Sequence, residues 1–294
     1  MSQGPDVSPD PFEAARPRIR GLAYRMLGTL ADADDVAQDT WLRWQAAGGA
    51  HITSAEAWLV TAATRLCLDR LRSAARTREI YPGPWLPEPI VTDAGPESAA
   101  ELSESLTFGF LMLLDQLAPV ERVVFVLADV FKVPYAEIAA TVGRSPAACR
   151  QIASRARRRL RPDKQPGQST VADRELVDGL LRALAAGDVH AVVARLAPQV
   201  VCVTDGGPGR RAARRPVTGS VLVARFLVSV ARGYGRHLAA RPAVVGGSAG
   251  AILSAGGVIE QVMAVTSRDG VITSVYFVGN PDKLTSAGRP PFLE

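Results

Sequence analysis

One stretch constrains this chain more than any other: Gly143-Arg-Ser-Pro-Ala-Ala-Cys-Arg-Gln-Ile-Ala-Ser-Arg-Ala-Arg-Arg-Arg-Leu-Arg161, with seven arginines and no acid. It reads as a helix with a defined start. Ser145 can cap the first turn, and Pro146 suits the first helical position, where its missing N–H would be unpaired anyway. Ala148, Ile152, Ala156 and Leu160 recur at helical spacing and are expected to face a core. Arg150, Gln151, Ser154, Arg155 and Arg158 then fall on the other side. Upstream, Pro134–Val142 is a short amphipathic helix ended by Gly143, which tolerates a left-handed turn. Helix, glycine turn and capped basic helix make the helix-turn-helix pattern, whose second helix enters the DNA major groove. A lone arginine run would be equally well explained as a solvated face; the upstream helix in register favours DNA.

A chain of 294 residues is long enough for two or three domains. The net charge of +5 is compatible with a polyanionic partner but does not require one. Cys67, Cys149 and Cys202 lie far apart without metal-ligand spacing, which argues for a reducing compartment, no disulfide framework and no metal site. The polar, acidic N-terminus is not a signal peptide. The longest apolar run, Leu106–Leu114, stops at Asp115, well short of the ~18 residues of a membrane span. A cytoplasmic location is expected, and no cofactor is.

Composition divides the chain. Residues 12–80 are helical in pattern: Phe12–Leu30, Asp32–Ala46, and Ser54–Arg78 with Trp58, Leu59, Ala62, Leu66, Leu68 and Leu71 near one stripe. Residues 81–96 break it, because four prolines between Tyr81 and Pro89 exclude regular helix. Trp85 and Leu86 are apolar handles that a purely solvated linker would not carry, so this segment is expected to dock. Residues 97–161 return to helix, with Glu97–Leu117 and Pro119–Val130 before the helix-turn-helix. After a second polar linker, residues 172–294 read as helices (Arg174–Ala186, Val189–Leu196, Ser220–Tyr234) and strands (Val200–Val203, Ala251–Ser254, Val258–Val265, Val271–Val278). Asp269-Gly270 marks a hairpin. The fold class is therefore two all-α units followed by an α+β domain.

Asp35 and Asp39 share one helical face. No histidine or third carboxylate joins them at ligand spacing, so a protein-binding face is favoured over acid–base or metal chemistry. The Ser54–Arg78 helix ends basic, with Arg65, Arg70, Arg72, Arg76 and Arg78, a pattern suited to tracking a nucleic-acid backbone but common on exposed helices.

Four segments together carry a resemblance: Asp34-Asp-Val-Ala-Gln-Asp-Thr-Trp-Leu42, Ala57-Trp-Leu-Val-Thr-Ala-Ala-Thr-Arg-Leu-Cys-Leu-Asp-Arg-Leu-Arg72, Leu114-Asp-Gln-Leu-Ala-Pro-Val-Glu-Arg122, and the helix-turn-helix. In this order, over residues 12–161, they resemble an extracytoplasmic-function sigma factor of bacterial RNA polymerase. The resemblance implies that core RNA polymerase is the partner of Asp34, Asp35, Gln38, Asp39 and Leu42 at its clamp. It implies that residues 12–80 melt and hold the −10 element of promoter DNA through His51, Arg65, Arg70, Arg72 and Arg76, with the Gly48–Thr53 loop against a flipped-out base. The −35 element would be read by Ser145, Ala147, Arg150, Gln151, Ser154, Arg155 and Arg158 in residues 97–161.

Residues 172–294 resemble the SnoaL-like, nuclear-transport-factor-like cone that some of these sigma factors carry. Three motifs accompany that subfamily: Trp85–Pro89, Asp205-Gly206-Gly207, and Asn280-Pro281-Asp282-Lys283-Leu284. Pro208 stands where a third glycine is usual. The resemblance implies that these segments meet, Trp85 and Leu86 included, and regulate in cis. A basic cluster follows at Arg210, Arg211, Arg214 and Arg215, as well explained by a solvated loop as by a phosphate contact. Asp205, Tyr234, His237 and Glu260 could line the cone, but no two stand at a spacing that demands catalysis. A small ligand there stays open. So do two rival readings, a ligand-responsive helix-turn-helix regulator and a cone-fold isomerase or cyclase with a DNA-binding appendage. The first leaves the acidic helix unexplained.

Overall fold

The computed structural model describes residues 10–48, 52–79, 81–92, 107–160, 170–210, 212–234, 238–285 and 287. Its first half runs α1 (Pro11–Leu27), α2 (Leu30–Ala47), α3 (Ala55–Glu79), β1 (Val91–Thr92), α4 (Phe108–Leu114), α5 (Pro119–Phe125), α6 (Tyr135–Val142) and α7 (Pro146–Leu160), with a π turn at Val126–Val130. Then come α8 (Val171–Ala186), α9 (Val189–Val193), β2 (Leu196–Asp205), β3 (Val217–Thr218) and α10 (Ser220–Tyr234). The chain ends with β4 (Leu238–Val245), β5 (Ser248–Ala255), β6 (Val258–Arg268), β7 (Val271–Val278) and a 3-10 turn at Pro281–Lys283. Two compact units result: Met1–Arg76 with Leu117–Arg159, and Thr77–Gln116 with Leu160–Glu294.

The first unit is all helix. Asp10 caps α1 by accepting from the Phe12 amide, and Gly28 closes it in the left-handed conformation with its N–H on the Tyr24 carbonyl. Thr29 caps α2 at once, so a single left-handed residue turns one helix into the next. Ile19, Leu22, Ala23 and Met26 of α1 and Ala33, Val36 and Ala37 of α2 are buried. Arg122 of α5 is buried too and donates to the Met26 carbonyl at 2.8 Å. Phe131, after the π turn, lies under the guanidinium groups of Arg18 and Arg25, 5.5 and 5.4 Å from the ring centre.

The second unit is built on one sheet of order β1-β4-β5-β6-β7-β2-β3. β4 to β7 form an antiparallel meander, and β2 joins β7 in parallel. Two residues with positive φ make each tight turn, at Gly246-Gly247, Gly256-Gly257 and Asp269-Gly270, which matches the twist of the strands. Alternate residues face opposite ways. Cys202, Leu253, Met263 and Phe277 pack under α8, α9 and α10. Val203, Ile252, Val262 and Val278 pack on the other face against Leu86, Val91, Phe108 and Leu284.

The α+β expectation for the last third holds, with corrections. The helix expected over Val189–Leu196 stops at Val193, and Leu196 already belongs to β2, which extends the expected Val200–Val203 core in both directions to ten residues. A register irregularity between Leu196 and Val201 admits Pro198 and Gln199 on the exposed side. β4 was not expected, because Pro242 reads as a breaker. Among the described residues β1 pairs β4 only at Val244 and Val245, so Pro242 lies beyond that pairing, where no ladder donor toward β1 is needed. Of Glu97–Leu117, only the part from Thr107 is described; Phe108–Leu114 is helical and packs with the sheet, whereas Leu117 begins the segment grouped with the first unit. The boundaries drawn at 80, 96 and 161 from composition thus differ from the compact units. Among the described residues no helix is long and apolar enough to cross a membrane.

Candidate nucleic-acid interface and linker clasp

The helix-turn-helix is set by local chemistry. Gly143, at φ 66°, donates its N–H to the Ala139 carbonyl and ends α6. Ser145 Oγ accepts from the Ala148 amide at 3.2 Å and starts α7. Cys149, Ala153, Ala156 and Leu160 are buried, while Ala148 and Ile152 are only half-buried. The core stripe is therefore displaced by one residue from the expected one over the first two turns. Ser145, Ala147, Arg150, Gln151, Ser154, Arg155 and Arg158 are all exposed. The arginines divide in a way that spacing does not reveal. Arg157 is tied back to Asp129 at 2.7 Å and to the Tyr135 hydroxyl at 2.9 Å, and Arg159 lies 3.6 Å from Glu121. Arg150, Arg155 and Arg158 have no such acidic partner among the described residues. Arg157 and Arg159 thus brace the unit.

On α2, Asp34, Asp35, Gln38 and Leu42 are exposed and Asp39 half-buried. Arg70 reaches over from α3 and bridges Asp39 at 2.8 Å, Asp35 at 3.5 Å and Asp32 at 3.7 Å. Arg20 pairs with Asp34 at 2.5 Å. Arg70 is thus drawn to the acidic helix, apart from the exposed Arg65 and Arg72, with which the sequence grouped it. Trp44 and Trp58, with ring centres 5.6 Å apart, join the end of α2 to the start of α3 across the intervening loop. His51, the side chain of Arg76, Arg211 and His237 lie outside the described residues.

In the second unit the three sequence-distant motifs converge on one carboxylate. Asp205, at the end of β2, is fully buried. Its Oδ1 accepts from the Tyr81 hydroxyl at 2.6 Å and the Gly207 amide at 3.0 Å. Its Oδ2 accepts from the Leu86 amide at 2.9 Å and Lys283 Nζ at 2.7 Å. Lys283 also donates to the Leu86 carbonyl at 2.5 Å and lies 3.9 Å from the Trp85 ring centre. Asn280 caps the 3-10 turn with its side-chain oxygen on the Asp282 amide, and its Nδ2 donates to the Tyr81 hydroxyl. Pro281 starts that turn, and Leu284 is buried beside Leu86. A Cβ on Gly207 would lie 2.5 Å from Asn280 Cγ, and on Gly206 2.8 Å from the Ala212 methyl, so both glycines are required by contact. The Tyr81 phenol is pushed above its usual range by burial and by its bond to Asp205.

Tyr81 was not singled out from the sequence, although an aromatic opening a proline-rich run is the same signal that marked Trp85. The basic cluster at Arg210 was left open between a solvated loop and a phosphate contact; Arg210 donates to Glu260, both to Oε2 at 2.6 Å and to the backbone carbonyl. Asp205, Tyr234 and Glu260 do line one cavity with Arg210.

Residues 12–77 match the model of Sigma-70 region 2, and residues 108–160 that of Sigma-70, region 4. Over 291 residues the chain is 42% identical to the ECF RNA polymerase sigma factor SigJ of Mycobacterium tuberculosis, covering 94% of this chain and 93% of that protein. The probable ECF RNA polymerase sigma factor SigI of the same species is 32% identical over 223 residues, 71% of this chain and 73% of its own length. The crystal structure of M. tuberculosis SigJ matches with a TM-score of 0.77 at 38% identity, covering 94% of this chain and 98% of that one.

Proposed function

From the premise that this chain belongs to the extracytoplasmic-function RNA polymerase sigma factors, we propose a division of labour among its surfaces. The chain directs core polymerase to promoters, and its family is one of initiation factors rather than catalysts. In our reading the exposed side of α2, with Asp34, Asp35, Gln38, Asp39 and Leu42, meets the polymerase clamp, and Arg70 steadies its carboxylates from α3. Arg65, Arg72 and the loop bearing His51 serve the −10 element. Arg150, Arg155 and Arg158, with Ser145, Ala147, Gln151 and Ser154, serve the −35 element.

The C-terminal sheet domain acts in cis, through the linker. The observation that carries this is the Asp205 carboxylate, whose four donors come from the linker, its own turn and the C-terminal Lys283. The linker joins the two promoter-reading regions, so fixing it restricts their separation. Phe108, where the region 4 match begins, belongs to the same unit as the clasp: it is buried, donates its amide to the Gly246 carbonyl, and packs its ring 5.4 Å from that of Tyr276. Loss of residues after 279 should free the linker and deregulate transcription, whereas loss of everything after residue 172 should impair it. Promoter-specific transcription by purified core polymerase, with the full chain, the two truncations and Trp85→Ala, tests this. Equal transcription by all four would make the sheet domain a passenger.

A further inference from the structure

We propose that the helical unit rests in a closed form: Phe131 latches the segment bearing the helix-turn-helix onto α1, and this latch must part before both promoter elements can be read. The inference rests on the reading that residues 12–77 serve the −10 element and α7 the −35 element. Those elements lie about 25 base pairs apart, about 85 Å along a duplex at roughly 3.4 Å per step. DNA bends smoothly only over roughly 150 base pairs, so a stretch this short does not fold back on itself. Met1–Arg76 and Leu117–Arg159 nevertheless form one compact unit. A unit of about 120 residues has a radius of gyration of about 14 Å and measures about 35 Å across. It cannot set α3 on one element while α7 occupies the other.

Named contacts hold the seam. Arg18 and Arg25 of α1 lie over the Phe131 ring, and Arg18 Nη2 donates to the Phe131 carbonyl at 3.2 Å. Arg122 of α5 reaches back to the Met26 carbonyl. Thr61 of α3 meets Thr141 of α6, with hydroxyl oxygens 3.5 Å apart. These are polar contacts, of the kind that domains of one chain make and break. Arg25 and Arg122 are both buried, and burial brings the Arg25 guanidinium down to about 10. Lifting the Phe131 ring would return water to that charge, which favours release.

The backbone around Phe131 is shaped for this contact. The π turn at Val126–Val130 precedes it, with the Phe131 amide donating to the Val126 carbonyl, and Lys132 follows in the left-handed region at φ 55°. A π turn and a left-handed residue with a side chain are each uncommon, and both concentrate at functional sites and switches. Together they carry the ring to α1 just before α6 begins the helix-turn-helix. Only the open fraction of the chain reads both elements, so weakening the latch raises apparent promoter affinity until that fraction nears one.

The test holds the seam shut reversibly in the full chain. Thr61→Cys with Thr141→Cys is bridged by methanediyl bismethanethiosulfonate and released by dithiothreitol; Cys67, Cys149 and Cys202 are buried and stay out of the reaction. With core polymerase and a promoter bearing both elements, the bridged chain should transcribe about tenfold less than the released one. On a template opened in advance at −10 and lacking the −35 element, the two should be equal. Equal transcription on the two-element promoter would overturn the proposal, and so would an equal loss on both templates, which marks general damage by the bridge. Phe131→Ala should raise transcription about threefold or more at limiting chain concentration; no rise in a folded variant would overturn the latch. Should that variant misfold, the bridged chain decides alone, and should the cysteines impair the released chain, Phe131→Ala decides. A parent chain inactive on both templates would end the promoter reading itself, and this inference with it.

Discussion

Lys283 Nζ lies 2.7 Å from the Asp205 carboxylate in a place that solvent does not reach, with the Trp85 ring closing over it at 3.9 Å. Removing one partner of a buried ion pair leaves the other charge uncompensated, which costs about 3–5 kcal/mol. Lys283→Met should therefore lower the stability of the sheet domain by that amount in urea titration and open the linker to chymotrypsin after Trp85. Combining it with Asp205→Asn should recover part of the loss, because the stranded charge is gone. Additive losses would mean that the pair is not the keystone of the clasp.

Gly207 gives a second handle that alters no charge. It sits at φ 65° with Asn280 packed where a Cβ would be. Gly207→Ala should cost about 1–3 kcal/mol through backbone strain and displace Asn280 from the Tyr81 hydroxyl, again exposing the linker to proteolysis. Wild-type resistance in a folded Gly207→Ala chain would show that the Asn280 contact is dispensable.

How much of this was legible in sequence depends on range. The helix-turn-helix is written in adjacent residues: Gly143 for the left-handed turn, Ser145 and Pro146 for the start. Its buried stripe was misplaced by one residue, because alanine, cysteine and isoleucine are all admissible at the interface and only packing chooses Cys149 and Ala153. β4 was hidden by Pro242, whose tolerance depends on how far β1 extends along it. Leu86, Gly207 and Lys283 were each visible as misfits, yet nothing local says that Leu86 and Lys283, 119 and 78 positions from Asp205, bind the same carboxylate. Arg70 shows the same limit: its spacing suits DNA, and its partners are three aspartates on another helix.

The arginines of α7 should separate into two classes. Arg150 is exposed and without an acidic partner among the described residues, so Arg150→Ala should weaken transcription from a promoter with its −35 element by about 1–3 kcal/mol, and much less from one lacking it. Arg157→Ala breaks bonds to Asp129 and Tyr135 and should lower thermal stability with no preference between templates. Equal losses on both templates for Arg150→Ala would mark a phosphate contact instead.

Cys67 and Cys202 are buried, and loss of solvation pushes both thiols up to about 12. At pH 8 only roughly one in ten thousand of either is thiolate, the reactive form. Cys149 is raised in the same direction by the same cause. A disulfide reagent such as 5,5′-dithiobis(2-nitrobenzoate) should label none of them in the folded chain at pH 8, and all three after unfolding. Rapid labelling of Cys202 in the native protein would mean that the sheet domain opens far more readily than its packing implies.

The acidic helix is tested best where the fold is least involved. Asp35→Arg with Asp39→Arg should abolish association with core polymerase, but it also turns the ion pairs around Arg70 into repulsion between three cations. Leu42 avoids that ambiguity. It is 51% exposed on the same helix, and a large apolar side chain left so exposed beside carboxylates suits a partner surface with an apolar centre and a polar rim. Leu42→Arg should reduce co-purification with core polymerase at least tenfold, about 1.4 kcal/mol, while circular dichroism and the melting temperature stay those of the parent. The double reversal should do the same and melt earlier. If Leu42→Arg and the double reversal both co-purify like the parent chain, α2 is not the clamp-binding face, and the acidic side serves only to hold Arg70.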